Sequence, residues 1–343
     1  MNNSAIVYSE KYLEHELGPN HPETPERLRS IIRSIREDET LEKELNFLEP
    51  IKASREEVKE VHYSGYVDKI EELSEKGERL DLDTPVCHDT FDLSLLSAGG
   101  AIKLTQSVAS GEYSNGFSLN RPPGHHATEE KGGGFCYFNN ISIAAEKLLK
   151  DDDFDRVMIF DFDAHHGNGT QDIFYETDDV LFMSFHQTGK TLYPESGFPE
   201  EVGKDKGEGY TFNVPFSPGA GNKQYYSGLK RFFEPVIEQY NPDMLLVSAG
   251  FDADFRDPLT RCELSSIGYE RMGDFLLSKA NEICDGKISF VLEGGYEVIA
   301  SSISVTKIIK SLIGSGHSDL PTNRTEGSYF PEVEKSLRDY WKL

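Results

Sequence analysis

Short, mostly apolar runs alternate along the chain with longer stretches in which apolar residues recur every three or four positions. The short runs are typical of strands buried on both faces of a sheet, and the longer stretches are typical of amphipathic helices. The predicted strands are Ala5–Tyr8, Gly116–Leu119, Val157–Phe160, Val180–Ser184, Thr211–Val214, Met244–Ser248 and Ser289–Leu292. The predicted helices lie near Pro25–Arg36, Phe91–Ser110, Asn139–Leu149, Lys223–Gln239, Ser265–Cys284 and Ser301–Ile313. This alternation predicts an α/β fold with a parallel sheet, and the lack of repeats and Pro/Ser-rich linkers predicts a single domain.

A polar cluster directly follows each of five predicted strands. The clusters are Asn120–His126, Asp161–Gly167, Phe185–His186, Ala249–Asp254 and Glu293–Tyr296. In open parallel α/β sheets, ligands bind just beyond the carboxyl ends of the strands. We therefore expect the five clusters to meet at one edge of the sheet and to form one functional site.

Asp163 and His165 lie two positions apart, so in an extended segment their side chains point to the same side. Carboxylates and imidazoles are ligands of zinc and of iron, and Asp252, after another predicted strand, can supply a third ligand. Two carboxylates, one histidine and an open position are typical of a catalytic metal site, although any one of these residues alone is more typical of a helix cap or a surface loop.

The adjacent His125 and His126 follow a Pro-Pro-Gly turn and allow three interpretations: metal ligands, a general acid/base pair, or a histidine-rich surface turn. For an acid/base pair, Asp161 can orient one ring, and Asn168 can hold the other through a neutral hydrogen bond.

The triple glycine before Phe135 allows either close approach of the backbone to a ligand, with Phe135 as a channel wall, or a flexible turn before a helix. Tyr296 follows a glycine turn, where its hydroxyl can donate a hydrogen bond to a developing oxyanion or the ring can simply pack. Together these residues predict metal-assisted hydrolysis of an amide or an ester. The chain contains no phosphate-binding glycine motif and no serine nucleophile motif.

The charge balance narrows the range of partners. Of 343 residues, 60 are acidic and 35 are basic, which gives a formal net charge of −25. Such an excess disfavours nucleic acid and anionic membranes and suits a cationic ligand. The lack of a C-x-x-C pair disfavours a disulfide framework and a cysteine-only zinc site. We find no apolar run long enough to span a membrane and no signal peptide, so we expect a cytoplasmic protein.

Several long motifs in the chain resemble the zinc-dependent histone deacetylase family, within the wider arginase/deacetylase fold. They are His21–Arg27, Arg121–His126, Gly134–Asn140, Asp161–Gly167, Ser248–Asp252 and Leu292–Tyr296. The resemblance covers roughly residues 5–313 and leaves 314–343 as a C-terminal extension. It implies an eight-stranded parallel sheet and a tubular pocket for an acylated amine, such as acetyl-lysine.

The resemblance assigns a role to each candidate. It implies that Asp163, His165 and Asp252 bind zinc, with Fe(II) as an alternative metal, and that Tyr296 polarises the acyl carbonyl. The implied base is His126, which would later act as the acid. The implied electrostatic partner of that base is His125, backed by Asp161.

Further positions match the family's substrate and cation sites. The implied pocket residues are Gly134, through its carbonyl, Phe135, Phe185 and His186, and the implied rim residue is Asp83. Arg27 matches an arginine of the family's acetate-release channel. One potassium site is implied at Asp161, Asp163, His165, Ser184 and Phe185, and a second at Phe174, Thr177, Val180 and Tyr210.

Three positions indicate the subfamily. Asn168 matches the class II-like pattern, and Tyr296 stands where poorly active class II members carry histidine. Leu259 stands where polyamine-selective animal relatives carry glutamate, which favours acyl-lysine or a general acyl-amine over acetylpolyamine. The chain lacks the inserted dimer loop of microbial polyamine deacetylases, which favours a monomer.

Three alternatives remain open. A deacetylase of polyamines or other small molecules is one, because microbial polyamine deacetylases place their acidic residues elsewhere. A binuclear ureohydrolase is another, suggested by Asp252 and Asp254, but Gly167 occupies the position of a further ligand to the second metal and cannot bind one. An acyl-lysine binding module is the third, although every catalytic position retains a competent residue.

Overall fold

The computed structural model describes residues 3–151, 153–315 and 325–343, and its centre is an eight-stranded parallel sheet. The strands are β1 (Ser4–Val7), β2 (Leu45–Leu48), β3 (Asn115–Ser118), β4 (Val157–Asp161), β5 (Val180–Gln187), β6 (Thr211–Phe216), β7 (Met244–Ala249) and β8 (Ile288–Leu292). Their order across the sheet is β2-β1-β3-β8-β7-β4-β5-β6. All neighbouring strands pair in parallel, which confirms the predicted sheet.

Helices cover both faces of this sheet. They are α1 (Pro25–Glu37), α2 (Glu39–Glu44), α3 (Arg55–Lys59), α4 (Ser64–Lys76), α5 (Thr90–Ala109), α6 (Asn140–Leu149), α7 (Asn168–Ile173), α8 (Asn222–Gly228), α9 (Glu234–Tyr240), α10 (Ser266–Ile283), α11 (Val298–Leu312) and α12 (Phe330–Leu337). Among the described residues, no helix combines the length and the apolar composition that a membrane span requires.

Two separate apolar cores follow from the alternation of side chains along each strand. In β4, Met158 and Phe160 belong to the core that packs against α1, α10 and α11. Val157 and Ile159 of the same strand belong to the core that packs against α4, α5 and α6. Because both faces are buried, the central strands are continuously apolar, which is why their positions could be read from the sequence.

The seven predicted strands and six predicted helices are present to within a few residues, with one correction. The helix predicted near Lys223–Gln239 is interrupted by a π-helical turn at Leu229–Phe233, between α8 and α9. Sequence analysis also missed β2, where Leu45 is the one buried residue, because an edge strand with exposed Asn46 and Phe47 lacks an apolar run.

The described part of the C-terminal extension packs against the body of the protein. In α12, Phe330, Val333 and Leu337 are buried. Nε1 of Trp341 donates a hydrogen bond to the carbonyl of Gly209 at 2.7 Å. Residues 316–324 of this extension lie outside the described residues.

Candidate active site

The polar clusters that follow the strands meet at the carboxyl edge of the sheet. Asp161 ends β4 and pairs in register with Ser184 of β5 and Ser248 of β7. Beyond the strand ends, the N–H of Phe251 donates to the carbonyl of Gly294 at 3.0 Å. The N–H of Ala164, in the loop after β4, donates to Oδ1 of Asp252 at 2.8 Å. The loops after β4, β7 and β8 are thereby held against one another, as expected for a ligand site in an open α/β sheet.

Asp163, His165 and Asp252 form a buried cluster of candidate metal ligands, whose donor atoms all lie within 4.8 Å of one another. Nδ1 of His165 is 2.7 Å from Oδ2 of Asp252 and 3.2 Å from Oδ1 of Asp163. A Cβ atom at Gly250 would lie 1.9 Å from Oδ2 of Asp163, so only glycine lets the two loops close on the cluster. Buried carboxylates are stabilised by a bound cation, and two carboxylates with one imidazole suit zinc or iron with a coordination position left open.

The two carboxylates of this cluster differ in their electrostatic surroundings. Burial, reinforced by the charge of Asp163, raises the pKa of Asp252 to about 7. Burial also opposes ionisation of Asp163, but the rings of His125 and His165 outweigh it and lower the pKa of Asp163. Keeping two such carboxylates buried together costs stability, and a cation that binds both of them offsets that cost.

His125 and His126 have different hydrogen-bond partners, as the sequence predicts. Nδ1 of His125 lies 2.9 Å from Oδ2 of Asp161, and Nδ1 of His126 lies 2.8 Å from Oδ1 of Asn168. Since the amide oxygen of Asn168 can only accept, neutral His126 carries its proton on Nδ1 and has Nε2 free to accept another.

The pKa values of the two histidines are shifted in opposite directions. Burial disfavours the charged form of His125, but Asp161 and Asp163 outweigh it and raise the pKa of His125 to about 10. Burial, together with the rings of His125 and His165, lowers the pKa of His126 well below its ordinary value. The His125 ring is therefore positively charged and the His126 ring neutral, a pairing typical of acid/base sites.

A cavity of about 650 Å³ opens from the surface onto this cluster. Its lining includes His126, His165, Gly134, Phe135, Tyr193 and Tyr296. Gly134 has a φ of 55°, and a Cβ atom there would lie 2.4 Å from Cδ2 of His126. Glycine is therefore required for the backbone to approach His126 this closely at the cavity wall, which favours the ligand-approach interpretation of the triple glycine.

Tyr296 is held on its turn by Arg27. Nε of Arg27 donates to the carbonyl of Gly295 at 2.6 Å, and its guanidinium lies 5.0 Å from the centre of the Tyr296 ring. The Phe135 ring packs edge-on against Tyr296, with 5.6 Å between ring centres. Burial raises the pKa of Tyr296 well above its ordinary value, so its hydroxyl stays protonated and can donate a hydrogen bond.

Comparison with known families identifies the class of protein. Residues 21–312 match the histone deacetylase domain. The chain belongs to the histone deacetylase family. It is 44% identical over 339 residues to a probable deacetylase of Archaeoglobus fulgidus, across 98% of this chain and 92% of that protein. It is 34% identical to a histone deacetylase-like amidohydrolase of Pseudomonas aeruginosa, across 91% of this chain and 86% of that protein.

A solved structure supports the same assignment. The crystal structure of the HDA15 HD domain matches with a TM-score of 0.91 and 33% sequence identity, over 99% of this chain and 95% of that chain. Membership of the histone deacetylase family makes this chain a hydrolase of amide bonds, and the predicted hydrolysis of an amide is confirmed.

The residues predicted to contact substrate fall into two groups. Gly134, Phe135, Leu259 and Asp83 line the cavity, the last two at exposed positions. The structure does not place Phe185 or His186 there.

The correction follows from where these two side chains are buried. Phe185 packs in the core between Phe160 and Phe216, at 5.0 and 5.5 Å between ring centres. The His186 ring forms hydrogen bonds with Oγ of Ser184 and the carbonyl of Gly197. The aromatic residue that this region contributes to the cavity is Tyr193, from the loop after β5.

The residues predicted to hold potassium lie at two places. Asp161, Asp163, His165, Ser184 and Phe185 gather where β4 and β5 end. Phe174, Thr177, Val180 and Tyr210 gather near the start of β5, where the N–H of Thr177 donates to the carbonyl of Phe174. Both potassium sites remain predictions.

The contacts around the cluster argue against a second metal in it. The carboxylate of Asp254 is bonded to Nε of Arg256 at 2.8 Å and does not join the ligand cluster. A Cβ atom at Gly167 would lie 2.2 Å from Oδ2 of Asp161, so no longer side chain fits there.

Sequence analysis missed a buried ion-pair network beneath the site. The carboxylate of Glu23 lies 2.7 Å from Nε of Arg121 and 3.1 Å from a guanidinium nitrogen of Arg27. These contacts join the N-terminal segment to the loop that carries His125 and His126. The sequence did give an indication of this network, because Glu23 and Arg121 both lie in motifs that also carry candidate site residues.

Proposed function

We propose that the protein is a zinc-dependent deacetylase that removes acetyl or related acyl groups from lysine side chains. The observation that carries this proposal is the meeting of Asp163, His165 and Asp252 with the base His126 and the donor Tyr296 at one cavity. An amide carbonyl needs electrophilic activation on its oxygen and a base for the attacking water, and this arrangement supplies both.

Asp163, His165 and Asp252 would hold the metal. Bound there, zinc would polarise the acyl carbonyl and acidify a water molecule. Fe(II) would suit the same ligands. We propose potassium as a further, structural cation at the two predicted potassium sites described above.

The protein's own residues supply the proton transfers. Nε2 of His126 takes a proton from the attacking water, while Asn168 holds the opposite side of the ring. The positive ring of His125, centred 4.0 Å from that of His126, favours negative charge developing nearby. His126 then gives the proton to the departing amine nitrogen, so the products are a free amine and a carboxylate.

Tyr296 donates its hydroxyl proton in a hydrogen bond to the oxyanion that forms on the acyl oxygen. Phe135, beside Tyr296, gives the cavity an aromatic wall that suits the methylene chain of a lysine side chain. The acyl carbon is thereby presented to the water that His126 activates.

The proposal is tested with protein stripped of metal by a chelator. We expect an acetylated lysine peptide to release acetate only after zinc is restored, with full activity at one zinc per chain. We also expect zinc to raise the Tm of the stripped protein and not that of Asp252→Asn. Undiminished acetate release by the stripped protein would refute the metal-dependent reaction.

Acetylpolyamines or other small acylated amines are the second candidate substrates. The carboxylates of Asp81 and Asp83 both lie on the cavity lining and are exposed, so they favour a substrate that carries a further positive charge.

A further inference from the structure

Asp257 is a buried carboxylate that the catalytic steps do not use, and it binds two parts of the site at once. Oδ2 accepts hydrogen bonds from the backbone N–H of Tyr296 at 2.7 Å and of Glu297 at 3.3 Å. Oδ1 accepts from the backbone N–H of Leu259 at 2.9 Å. The side chain is 7% exposed.

We propose that Asp257 is a positioning residue, which fixes the Tyr296 turn and links it to the Leu259 side of the cavity mouth. The inference rests on the proposed role of Tyr296 in hydrolysis. It assigns to Asp257 no contact with substrate and no proton transfer.

The turn before Tyr296 depends on such an anchor. Gly295 has a φ of 120°, a conformation that glycine adopts freely and that its neighbours must hold in place. Arg27 binds the carbonyls of Glu293 and Gly295, which restrains the turn before Tyr296. The N–H groups of Tyr296 and Glu297 come just before α11, where no carbonyl of that helix can accept them. Asp257 satisfies both N–H groups, and a carboxylate makes stronger hydrogen bonds to them than a neutral acceptor would.

Charge pairing does not account for this buried carboxylate. The neighbouring Arg256 is bonded to Asp254 instead, at 2.8 and 3.0 Å. Within the described ranges of the chain, Asp257 takes part in no Lys or Arg ion pair, and its two oxygens accept from backbone N–H groups. The contacts therefore indicate that its function is to hold backbone.

The first test is a double-mutant cycle on the zinc-loaded full-length protein with an acetylated lysine peptide. Asp257→Asn keeps the shape of the side chain but replaces one acceptor oxygen with an NH₂ group that faces an N–H donor. A misplaced catalytic group costs on the order of 10- to 100-fold in rate. We expect Asp257→Asn to lower kcat by that factor with KM little changed. In Tyr296→Phe protein, the same substitution should leave kcat unchanged, because the hydroxyl that it misplaces is already absent.

Asp243→Asn is the matched control. Oδ2 of Asp243 also accepts two backbone N–H groups, those of Asp155 and Arg156 at 2.9 and 2.8 Å, at the opposite edge of the sheet. The Asp243→Asn variant should keep the wild-type kcat. An equal loss of kcat from Asp257→Asn with and without the Tyr296 hydroxyl, or no loss at all, would overturn the proposal.

Amide hydrogen exchange supplies a readout that does not depend on activity. In metal-free protein, Asp257→Asn should accelerate exchange at Tyr296 and Glu297, and Asp243→Asn should not. If Asp257→Asn does not fold, Asp257→Ser removes the same bidentate acceptor and serves in both measurements. Faster exchange in Asp257→Asn, together with a wild type that does not turn over the peptide, would support the positioning role and refute the proposed substrate. Failure of the positioning role and failure of the proposed function are therefore distinguishable. Unchanged exchange in the variant would overturn the positioning role.

Discussion

His125 and His126 are chemically identical and adjacent in sequence, yet their environments make one ring positively charged and leave the other neutral. The carboxylates of Asp161 and Asp163 outweigh burial and keep the first ring protonated, whereas burial and the neighbouring rings keep the second ring neutral. Because a charged ring next to a neutral base disfavours protonation of that base, His126 remains available as an acceptor. The difference in charge therefore depends on the carboxylates beside the first ring and on the burial of the second, while Asn168 fixes which nitrogen of the second ring carries the proton.

Removing the hydroxyl of Tyr296 tests the role of this residue. We expect Tyr296→Phe to lower kcat roughly 100- to 1,000-fold, the usual cost of one oxyanion donor, with KM little changed. The ring should keep its place, because its contacts with Arg27 and Phe135 do not involve the hydroxyl. Steady-state kinetics with an acetylated lysine peptide provides the measurement.

Tyr226→Phe is the control for this variant. Its hydroxyl donates to the carbonyl of Ile267 at 3.4 Å and does not line the cavity. We expect wild-type kcat for the control. Wild-type kcat for Tyr296→Phe as well would rule out an oxyanion donor at this position.

At the scale of elements, tight packing of α5 against the segment before α3 leaves no room for a side chain at Gly99. A Cβ atom there would lie 1.7 Å from the carbonyl oxygen of Ile51. We expect Gly99→Ala to lower the free energy of unfolding by about 1–3 kcal/mol, because overpacking outweighs the gain of up to about 1 kcal/mol in helix propensity. Urea unfolding followed by circular dichroism measures the change.

Gly65→Ala in α4 is the matched substitution, since a Cβ atom at Gly65 would meet nothing within 4 Å. This variant should be as stable as the wild type or up to about 1 kcal/mol more stable. A Gly99→Ala variant as stable as Gly65→Ala would contradict the close approach of α5 to the Ile51 carbonyl.

A buried histidine joins the start of α4 to the start of α6. Nδ1 of His62 donates to the carbonyl of Thr128 at 2.8 Å, and Nε2 accepts from the N–H of Asn139 at 2.9 Å. Burial lowers the pKa of His62 to about 4, although the nearby carbonyls of Thr128 and Glu129 favour the protonated ring. The neutral ring is therefore part of the native structure.

The pH dependence of stability follows from this shift. Between about pH 6.5 and 4, the unfolded chain binds a proton at His62 that the folded chain does not. The contribution of His62 is therefore complete above pH 6.5 and decreases by up to about 3 kcal/mol as the pH falls to 4. We expect His62→Gln, whose amide can make both hydrogen bonds, to show a smaller loss of unfolding free energy over this range. Identical pH profiles for the two proteins would contradict the assignment.

Elements that are buried on both faces could be predicted, and elements that are half exposed were harder to recognise. Val157–Asp161 and Met244–Ala249 are apolar throughout apart from Asp161 and Ser248, so strand and site were visible together. The edge strand Leu45–Leu48 and the helix Ser64–Lys76 present mixed surfaces, and their structure depends on neighbours that a single sequence does not reveal.

At the scale of the whole molecule, the site depends on the order of strands across the sheet. Strands β8, β7, β4 and β5 are neighbours at its centre, although they are distant along the chain. The sequence indicated that clusters follow these strands, and general rules for α/β folds placed them at one edge.

The details of that edge could not be inferred in the same way. Loop conformations make Tyr193, and not Phe185, a wall of the cavity. They also bring the carboxylate of Asp257 to the backbone N–H of Tyr296. Such loops carry no periodic pattern in the sequence.

The most direct test of the central claim is kcat/KM for a matched pair of substrates, an acetylated lysine peptide and N8-acetylspermidine, with zinc and potassium present. The proposal predicts that the peptide is preferred by tenfold or more, about 1.4 kcal/mol in transition-state binding. Preference for the polyamine would contradict the lysine assignment and make Asp81 and Asp83 the residues to substitute next. Failure to turn over either substrate, with zinc bound at one per chain, would contradict the proposed substrate class altogether.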